Sequence, residues 1–241
     1  MGDPRESELA ASLALMRERV TAACTQAGRD PGDVHLIVVT KTWPVQDVRR
    51  LADLGVCDMG ENRDQDARAK AGQTADLDLT WHFIGQVQTN KANSVTRYAD
   101  VVHSVDRLEL VAALERGAGR AGRTVTCLIQ VDLEEGPEGS SGRGGALPSQ
   151  VADLARAIEE SPHLRLGGVM GVAPLDRADQ RSASMAAFAR LAQLHEGLLA
   201  QYPDATIMSA GMSGDLEEAV AAGATHLRVG SAILGERPPL G

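Results

Sequence analysis

A chain of 241 residues with 43% hydrophobic and 24% charged residues has the composition of a globular protein that can bury a large core. Aromatic residues make up only 2% of the sequence, and the formal net charge is -9 at pH 7. Both values disfavour nucleic acid as a ligand, because phosphate backbones bind basic surfaces and unpaired bases stack on aromatic rings.

The sequence also lacks the marks of a membrane or secreted protein. Its first residues, MGDPRESE, include no apolar signal region, and no apolar run approaches the roughly 20 residues that cross a bilayer. The three cysteines, Cys24, Cys57 and Cys127, lie far apart and show no metal-ligand spacing. We therefore expect a cytoplasmic protein with reduced thiols, no metal site and no membrane partner.

The predicted elements follow a regular rhythm along the chain. Apolar residues recur every three or four positions from Leu9 onward, which predicts an amphipathic helix within residues 1–28 that ends near Gly28. Asp215 and Gly223 are expected to cap and close the last long helix. The predicted strands are 34–40, 56–60, 81–85, 101–105, 125–132, 164–170, 205–209 and 226–229. The helical patterns between them include VQDVRRLADLG, DRLELVAALERGA, SQVADLARAIEE, SMAAFARLAQLHEGLL and DLEEAVAAGA.

This rhythm predicts an α/β fold with one domain over residues 1–241, a single (β/α)8 TIM-type barrel preceded by an N-terminal helix. An open doubly wound sheet is the alternative, but no strand is followed by the Gly-x-Gly-x-x-Gly fingerprint that favours it. The segment EEGPEGSSGRGGALP (134–148) interrupts the rhythm and is too rich in Gly, Ser and Pro to pack. We expect a flexible surface loop there; a lid or a partner-binding loop is the alternative.

The stretch LIVVTKTWP (36–44) ends a buried strand on a lysine. Because side chains alternate along a strand, Ile37, Val39 and Lys41 share one face. A single lysine at such a position usually surfaces in the loop beyond the strand. In a barrel, however, functional side chains gather at the carboxyl ends of the strands. Lys41 is therefore either a solvated loop residue or part of a site at that end of the barrel.

The last two strands are each followed by a turn that suits an anion. Glycines let backbone N–H groups approach the anion, and serines add hydroxyl donors. Loops after strands seven and eight are also the usual phosphate cradle of this fold. One turn holds Ser209, Gly211, Ser213 and Gly214, and in the other Gly230 and Ser231 open a short terminal helix.

Arg228 lies two residues before the second of these turns and points into the barrel if Leu227 and Val229 pack against the helices. A buried guanidinium needs acceptors, which a ligand or an internal ion pair with Glu61 would supply. A lysine, an inward arginine and an anion turn together suit a phosphorylated aldehyde, since a desolvated lysine forms a Schiff base and the phosphate anchors the molecule. Pyridoxal 5′-phosphate fits this constellation.

From about Val34 to Gly235 the chain resembles the pyridoxal phosphate homeostasis proteins (the YggS/PROSC family), relatives of the barrel domain of alanine racemase. Six motifs carry the resemblance in order: TKTWP, GEN, WHFIGQVQTNK, VHSVD, GVMGVAP and SAGMSGDLEEAVAAGATHLRVGSAILG. The resemblance implies a protein that buffers or delivers pyridoxal 5′-phosphate and maintains intracellular vitamin B6 and amino acid homeostasis. It further implies a monomer that contacts the apo forms of pyridoxal phosphate enzymes transiently.

The resemblance also assigns roles to individual residues. Lys41 would hold the cofactor as an aldimine, and Arg228 would face the pyridine nitrogen. Ser231 stands where threonine is more frequent but keeps the hydroxyl, and the 134–148 segment lacks the lysine usual there. The phosphate-binding positions would be Ser209, Gly230 and Ser231, and the remaining cofactor-binding positions would be Asn62, His82, Gly211 and Met212.

Three functions fit these residues: a cofactor-handling protein, a pyridoxal phosphate-dependent amino acid racemase, and a sugar-phosphate enzyme in which Lys41 acts directly on substrate. Arg228 would stay charged and keep the pyridine nitrogen unprotonated, which weakens the electron sink of pyridoxal chemistry. Racemisation also needs a second base opposite the lysine. The two tyrosines, Tyr98 and Tyr202, fall in or beside helical patterns, away from the strand ends. We therefore favour binding over catalysis and assign no catalytic residue.

Overall fold

The computed structural model describes residues 3–134, 144–175 and 179–235, and these ranges form a closed barrel of eight parallel strands with helices outside it. β1 pairs with β8, which closes the sheet and excludes the open doubly wound alternative. The predicted barrel is confirmed. The strands are His35–Val39 (β1), Asp58–Glu61 (β2), Thr80–Phe83 (β3), Val101–Val105 (β4), Val125–Val131 (β5), Leu164–Gly171 (β6), Ile207–Ser209 (β7) and His226–Val229 (β8).

The helices follow the predicted order, with the N-terminal helix packed against three others. α1 begins after Asp3, whose carboxylate accepts a hydrogen bond from the backbone N–H of Arg5 at 2.9 Å. It packs against α2, α8 and α9. The helices are Pro4–Gln26 (α1), Val45–Asp53 (α2), Asp64–Gln73 (α3), Ala92–Val95 (α4), Leu108–Ala121 (α5), Val151–Glu159 (α6), Gln180–Leu199 (α7), Leu216–Ala221 (α8) and Ser231–Leu234 (α9).

Two details differ from the sequence-based expectation. The α3 segment DQDARAKAGQ was not predicted as a helix, because its buried side consists of Ala67 and Lys70 and offers no apolar stripe. Asp215 precedes α8 but does not cap it with its side chain. Its carboxylate instead accepts from the backbone N–H of Met212 at 2.7 Å and so closes the turn after β7. Gly223 ends α8 at a φ of +101°, as expected.

The barrel interior has an apolar side and a polar side. Val101, Leu128 and Met170 form a small apolar cluster in it, separate from the large core between strands and helices. Across the interior, His103 Nδ1 on β4 lies 3.0 Å from Ser209 Oγ on β7. Because β4 and β7 are not neighbours in the barrel, this contact crosses the interior. Polar groups therefore occupy the space that apolar layers fill in most barrels.

The extent of the domain stays a prediction. The barrel and α1 account for the described ranges, whereas residues 135–143 of the predicted 134–148 loop lie outside the described residues.

Candidate functional site

A cavity of about 260 Å³ opens at the carboxyl ends of the strands. It gathers residues from the loops after β1, β3, β7 and β8. Five of the nine predicted site residues line it: Lys41, Met212, Arg228, Gly230 and Ser231. The cavity wall also includes Val39, Trp43, Ile84, Ser213, Gly214 and Gly235.

Lys41 sits half-buried in a tight turn directly after β1. The backbone N–H of Trp43 donates to the carbonyl of Thr40 at 3.1 Å, which closes a four-residue turn. Thr42, at the third position of this turn, has a φ of +70° and is the only non-glycine described with positive φ. A β-branched residue in this region is strained, and such strain persists only where the surroundings enforce it.

A buried ion pair lies directly beneath that turn. Glu61, at the end of β2, pairs with Lys70 of α3, and both side chains are almost fully buried. Lys70 Nζ also donates to the carbonyl oxygen of Thr40 at 2.7 Å, and the Thr40 hydroxyl donates to Glu61 Oε1 at 2.8 Å. The pair therefore binds the carbonyl oxygen and the hydroxyl of Thr40, the residue that starts the strained turn. Glu61 Oε2 has no hydrogen-bond partner among the described residues.

Arg228 points into the barrel, as predicted, and is 5% exposed. Its guanidinium donates to Ser209 Oγ at 2.6 Å and to the carbonyl of Gly171 at 2.9 Å. Burial lowers the pKa of Arg228 to about 10, although the negative charge of Asp215 acts to raise it. The guanidinium therefore stays cationic at neutral pH. The suggested ion pair with Glu61 is wrong, because Glu61 is engaged by Lys70 on the outer face of the strands.

Gly230 and Ser231 follow Arg228 at the cavity rim. Gly230 packs against β1 so closely that an added Cβ would lie 3.2 Å from the carbonyl oxygen of Val39. The following helix α9 leaves its first backbone N–H groups without partners inside the helix. The hydroxyl of the exposed Ser231 stands beside them on the cavity wall. Hydrogen-bond donors therefore converge at this rim.

Four predicted site residues lie away from the cavity wall. Ser209 and His82 are buried in the barrel interior, where Ser209 contacts His103 and Arg228 and His82 contacts Asp58 and His103. Gly211 has a φ of +89°, and an added Cβ would lie 2.6 Å from the Cβ of Ala219. Its role in this structure is to let the chain turn against α8. Asn62 is exposed at the end of β2, with its backbone against Gly85.

Sequence reasoning missed the residues that connect the N-terminus to the site. The Arg5 guanidinium lies 4.6 Å from the centre of the Trp43 ring and donates to the carbonyl of Leu234 at 2.9 Å. It also donates to the buried carboxylate of Asp47 at 3.0 and 3.2 Å. Arg5 thus joins a cavity wall residue to the last turn of α9. Trp43 is one of two tryptophans and lies two residues after Lys41. This position could have indicated from sequence that Trp43 belongs to the cavity wall.

Comparison with known proteins agrees with this geometry. The sequence profile of the alanine racemase N-terminal domain matches residues 12–238. The chain is 42% identical over 230 residues to the pyridoxal phosphate homeostasis protein of Corynebacterium glutamicum, covering 92% of this chain and 99% of the relative. It is 40% identical to the protein of the same name from Mycobacterium tuberculosis, covering 97% and 94%. The chain belongs to the pyridoxal phosphate homeostasis protein family.

A solved structure of the same shape supports this assignment. PipY of Synechococcus elongatus, determined with PLP bound, is 33% identical and superposes with a TM-score of 0.78, covering 94% of this chain and all of PipY. Within the described ranges, no helix is long and apolar enough to cross a membrane. The same ranges contain no group of three or more His, Cys, Asp or Glu side chains arranged to hold a metal ion.

The buried ion pair beneath the turn yields a testable expectation. Lys70→Met should lower the free energy of unfolding by about 3–5 kcal/mol, because it leaves the Glu61 carboxylate buried without its counter-charge. Adding Glu61→Gln to that variant removes the unpaired charge and should restore part of the loss. Lys91→Met, at an exposed lysine, is the matched control, with a change within about 0.5 kcal/mol. Urea unfolding measures all three, and equal losses at Lys70 and Lys91 would contradict the role of the pair.

Proposed function

We propose that this protein binds pyridoxal 5′-phosphate through a covalent bond to Lys41 and buffers or delivers the cofactor. The observation that carries the proposal is one cavity that holds an amine, a buried cation and a rim of hydrogen-bond donors, namely Lys41, Arg228 and the Gly230–Ser231 turn. The name of the relatives in its family, and the PLP bound to PipY, support it.

The residues fit the three reactive features of the cofactor. Its aldehyde would meet Lys41, whose amine condenses with a carbonyl carbon with loss of one water to give a Schiff base. Its phosphate would meet the N–H groups of the Gly230–Ser231 turn and the Ser231 hydroxyl. Lys41 follows β1 and Gly230 follows β8, and these strands are hydrogen-bonded neighbours. The pocket, about 260 Å³ in volume, suits one small ring-bearing ligand.

Arg228 would meet the pyridine nitrogen and limit what the bound cofactor can do. Pyridoxal phosphate supplies an electron sink that is strongest when its ring nitrogen is protonated. A guanidinium donates hydrogen bonds and accepts none, and burial lowers the pKa of Arg228 only to about 10. The ring nitrogen would therefore accept a hydrogen bond without taking a proton. This electrostatic setting favours holding the cofactor over catalysis.

The racemase alternative requires a second base, and neither tyrosine supplies one. The hydroxyl of Tyr98 donates to Asp64 Oδ1 at 3.3 Å, and burial raises the pKa of Tyr98 far above its usual range. Tyr202 precedes β7 and borders a different cavity, with Leu164 and Ala205. Neither residue lines the cavity that holds Lys41. We therefore propose that the protein is not an enzyme.

We further propose that the protein acts as a monomer in the cytoplasm, contacts apo-enzymes transiently and maintains vitamin B6 balance. Its three cysteines are free thiols, with Cys24 and Cys127 buried and Cys57 exposed. Free thiols are the usual state in that compartment.

The covalent link predicts a trapping result. Borohydride should reduce the protein–cofactor adduct to a stable secondary amine, and peptide mass spectrometry should locate it on Lys41. Lys41→Ala should abolish trapping, whereas Lys91→Ala, at an exposed lysine, should leave it unchanged. An adduct on Lys70 or Lys91 in the wild-type protein would overturn the assignment.

The phosphate contact predicts a loss of affinity confined to the phosphorylated ligand. Ser231→Ala removes one hydroxyl donor to a charged group and should weaken binding of pyridoxal phosphate ten- to a hundredfold, or about 1.5–3 kcal/mol. Binding of pyridoxal, which has no phosphate, should be weak and unaffected by the substitution. Equal affinity of the wild-type protein for the two ligands would rule out this phosphate site.

Because neither tyrosine lines the cavity that holds Lys41, we predict a negative enzymatic result. A general base typically contributes about 10²–10⁴-fold to a rate, so the cofactor-loaded protein should racemise amino acids only at trace rates. A chiral assay of alanine, serine and other common amino acids measures this, with an alanine racemase as positive control. Turnover of any of them at about 1 s⁻¹, within the ordinary enzyme range, would favour the racemase alternative.

A further inference from the structure

A line of hydrogen bonds leads away from Arg228 through the barrel. Arg228 Nη1 donates to Ser209 Oγ at 2.6 Å, and Ser209 Oγ lies 3.0 Å from His103 Nδ1. His103 Nε2 lies 2.9 Å from His82 Nδ1, and His82 Nε2 lies 2.9 Å from Asp58 Oδ1. We call Asp58, His82, His103 and Ser209 the histidine chain.

The histidine chain connects the two mouths of the barrel. Asp58 opens β2 and lines a cavity of about 440 Å³ at the amino ends of the strands, where its side chain is 25% exposed. Ser209 closes β7 at the other end, and the members between Asp58 and Arg228 are at most 2% exposed. A buried polar line of this kind is costly unless every group in it is satisfied.

The two ends of the histidine chain fix the direction of its hydrogen bonds. Arg228 can only donate, so Ser209 Oγ accepts from it. Burial alone would raise the pKa of Asp58, but the hydrogen bond from His82 opposes that effect and the pKa is lowered. Asp58 is therefore an ionised carboxylate that can only accept, and His82 Nε2 must carry a hydrogen.

The middle of the chain then has one neutral arrangement. When both rings are neutral, a hydrogen on His82 Nε2 leaves Nδ1 as the acceptor, so His103 donates from Nε2 and accepts at Nδ1. Ser209 must donate its hydroxyl hydrogen to that nitrogen. Burial, together with the charge of Arg228, lowers the pKa of His103 far below its usual range. Burial and the neighbouring His35 likewise lower the pKa of His226 to about 3. These shifts agree with a neutral His103 and a neutral His226.

We propose that the histidine chain positions Arg228 toward the cavity. Because the Ser209 hydrogen is committed to His103, the oxygen lone pair faces Arg228 Nη1, while Nη2 is held by the Gly171 carbonyl 2.9 Å away. A planar guanidinium held at two nitrogens has one orientation left. Its unused N–H groups are directed by residues that do not line the cavity. The identity of the group they meet, a pyridine nitrogen, rests on the proposed function.

The first test uses the protein without cofactor and is independent of that function. Long-range ¹H–¹⁵N NMR should show both His82 and His103 as neutral rings with the hydrogen on Nε2. His103→Leu should speed the exchange of the Arg228 guanidinium protons several-fold. His195→Leu, which removes a buried histidine bonded to the Ala205 carbonyl instead, should leave that exchange unchanged. A protonated His82, a His103 hydrogen on Nδ1, or identical exchange in the two variants would overturn the proposal.

The second test separates positioning from general loosening of the barrel. His103→Leu should weaken pyridoxal phosphate binding about three- to tenfold, the effect of one hydrogen bond. The 1-deaza analogue, whose ring carries a C–H in place of nitrogen, should bind His103→Leu and His195→Leu equally well. An equal loss for both ligands would overturn the positioning role. If the wild-type protein binds neither ligand, the proposed function fails, and the NMR test still decides the direction of the histidine chain.

Discussion

A guanidinium buried inside a barrel constrains much of this structure. An unpaired buried charge is so unfavourable that the surrounding residues must supply acceptors. Among the described residues, these acceptors are a hydroxyl and a carbonyl rather than a carboxylate, so Arg228 keeps its full positive charge for whatever enters the cavity. The Ser209 hydroxyl in turn needs an acceptor for its own hydrogen, and His103 Nδ1 lies within hydrogen-bond distance of it. His103 contacts His82, and His82 contacts Asp58. The buried charge of Arg228 near the carboxyl ends of the strands therefore accounts for polar side chains as far as Asp58 at the amino ends.

Two further ionic groups hold the cavity from outside the barrel. The Glu61–Lys70 pair forms hydrogen bonds with Thr40 at the start of the turn that contains Lys41. On the opposite side, Arg5 contacts Trp43 and the end of α9. Both groups act on short segments that form walls of the cavity. The positive φ of Thr42 is consistent with this arrangement, because a strained turn persists only when its surroundings are rigid.

Most of the fold could be predicted from sequence, because strands buried on both faces read as apolar runs. Alternation also placed Arg228 inside the barrel. Alternation gives a side chain's face but not its depth. Ser209 and His82, which the resemblance assigns to the cofactor, lie buried in the barrel interior, and their part in binding stays a prediction. The partner of Glu61 was misassigned for a related reason. Glu61 faces outward on β2, and Lys70 lies on α3, a helix whose buried lysine removes the apolar stripe that predicts helices.

The same arrangement bears on why such a site would hold a cofactor without using it. A carrier must bind an aldehyde reversibly while suppressing the reactions that the bound aldehyde promotes. Reversibility follows from the Schiff base, which water can hydrolyse. Suppression requires a ring nitrogen that stays unprotonated, and a buried guanidinium whose pKa is about 10 cannot deliver a proton at neutral pH. The hydrogen bonds to Ser209 and to the Gly171 carbonyl offset part of the cost of burying Arg228 and hold its guanidinium at two nitrogens. Under the proposed function, the polar interior of the barrel would keep the cofactor bound and unreactive.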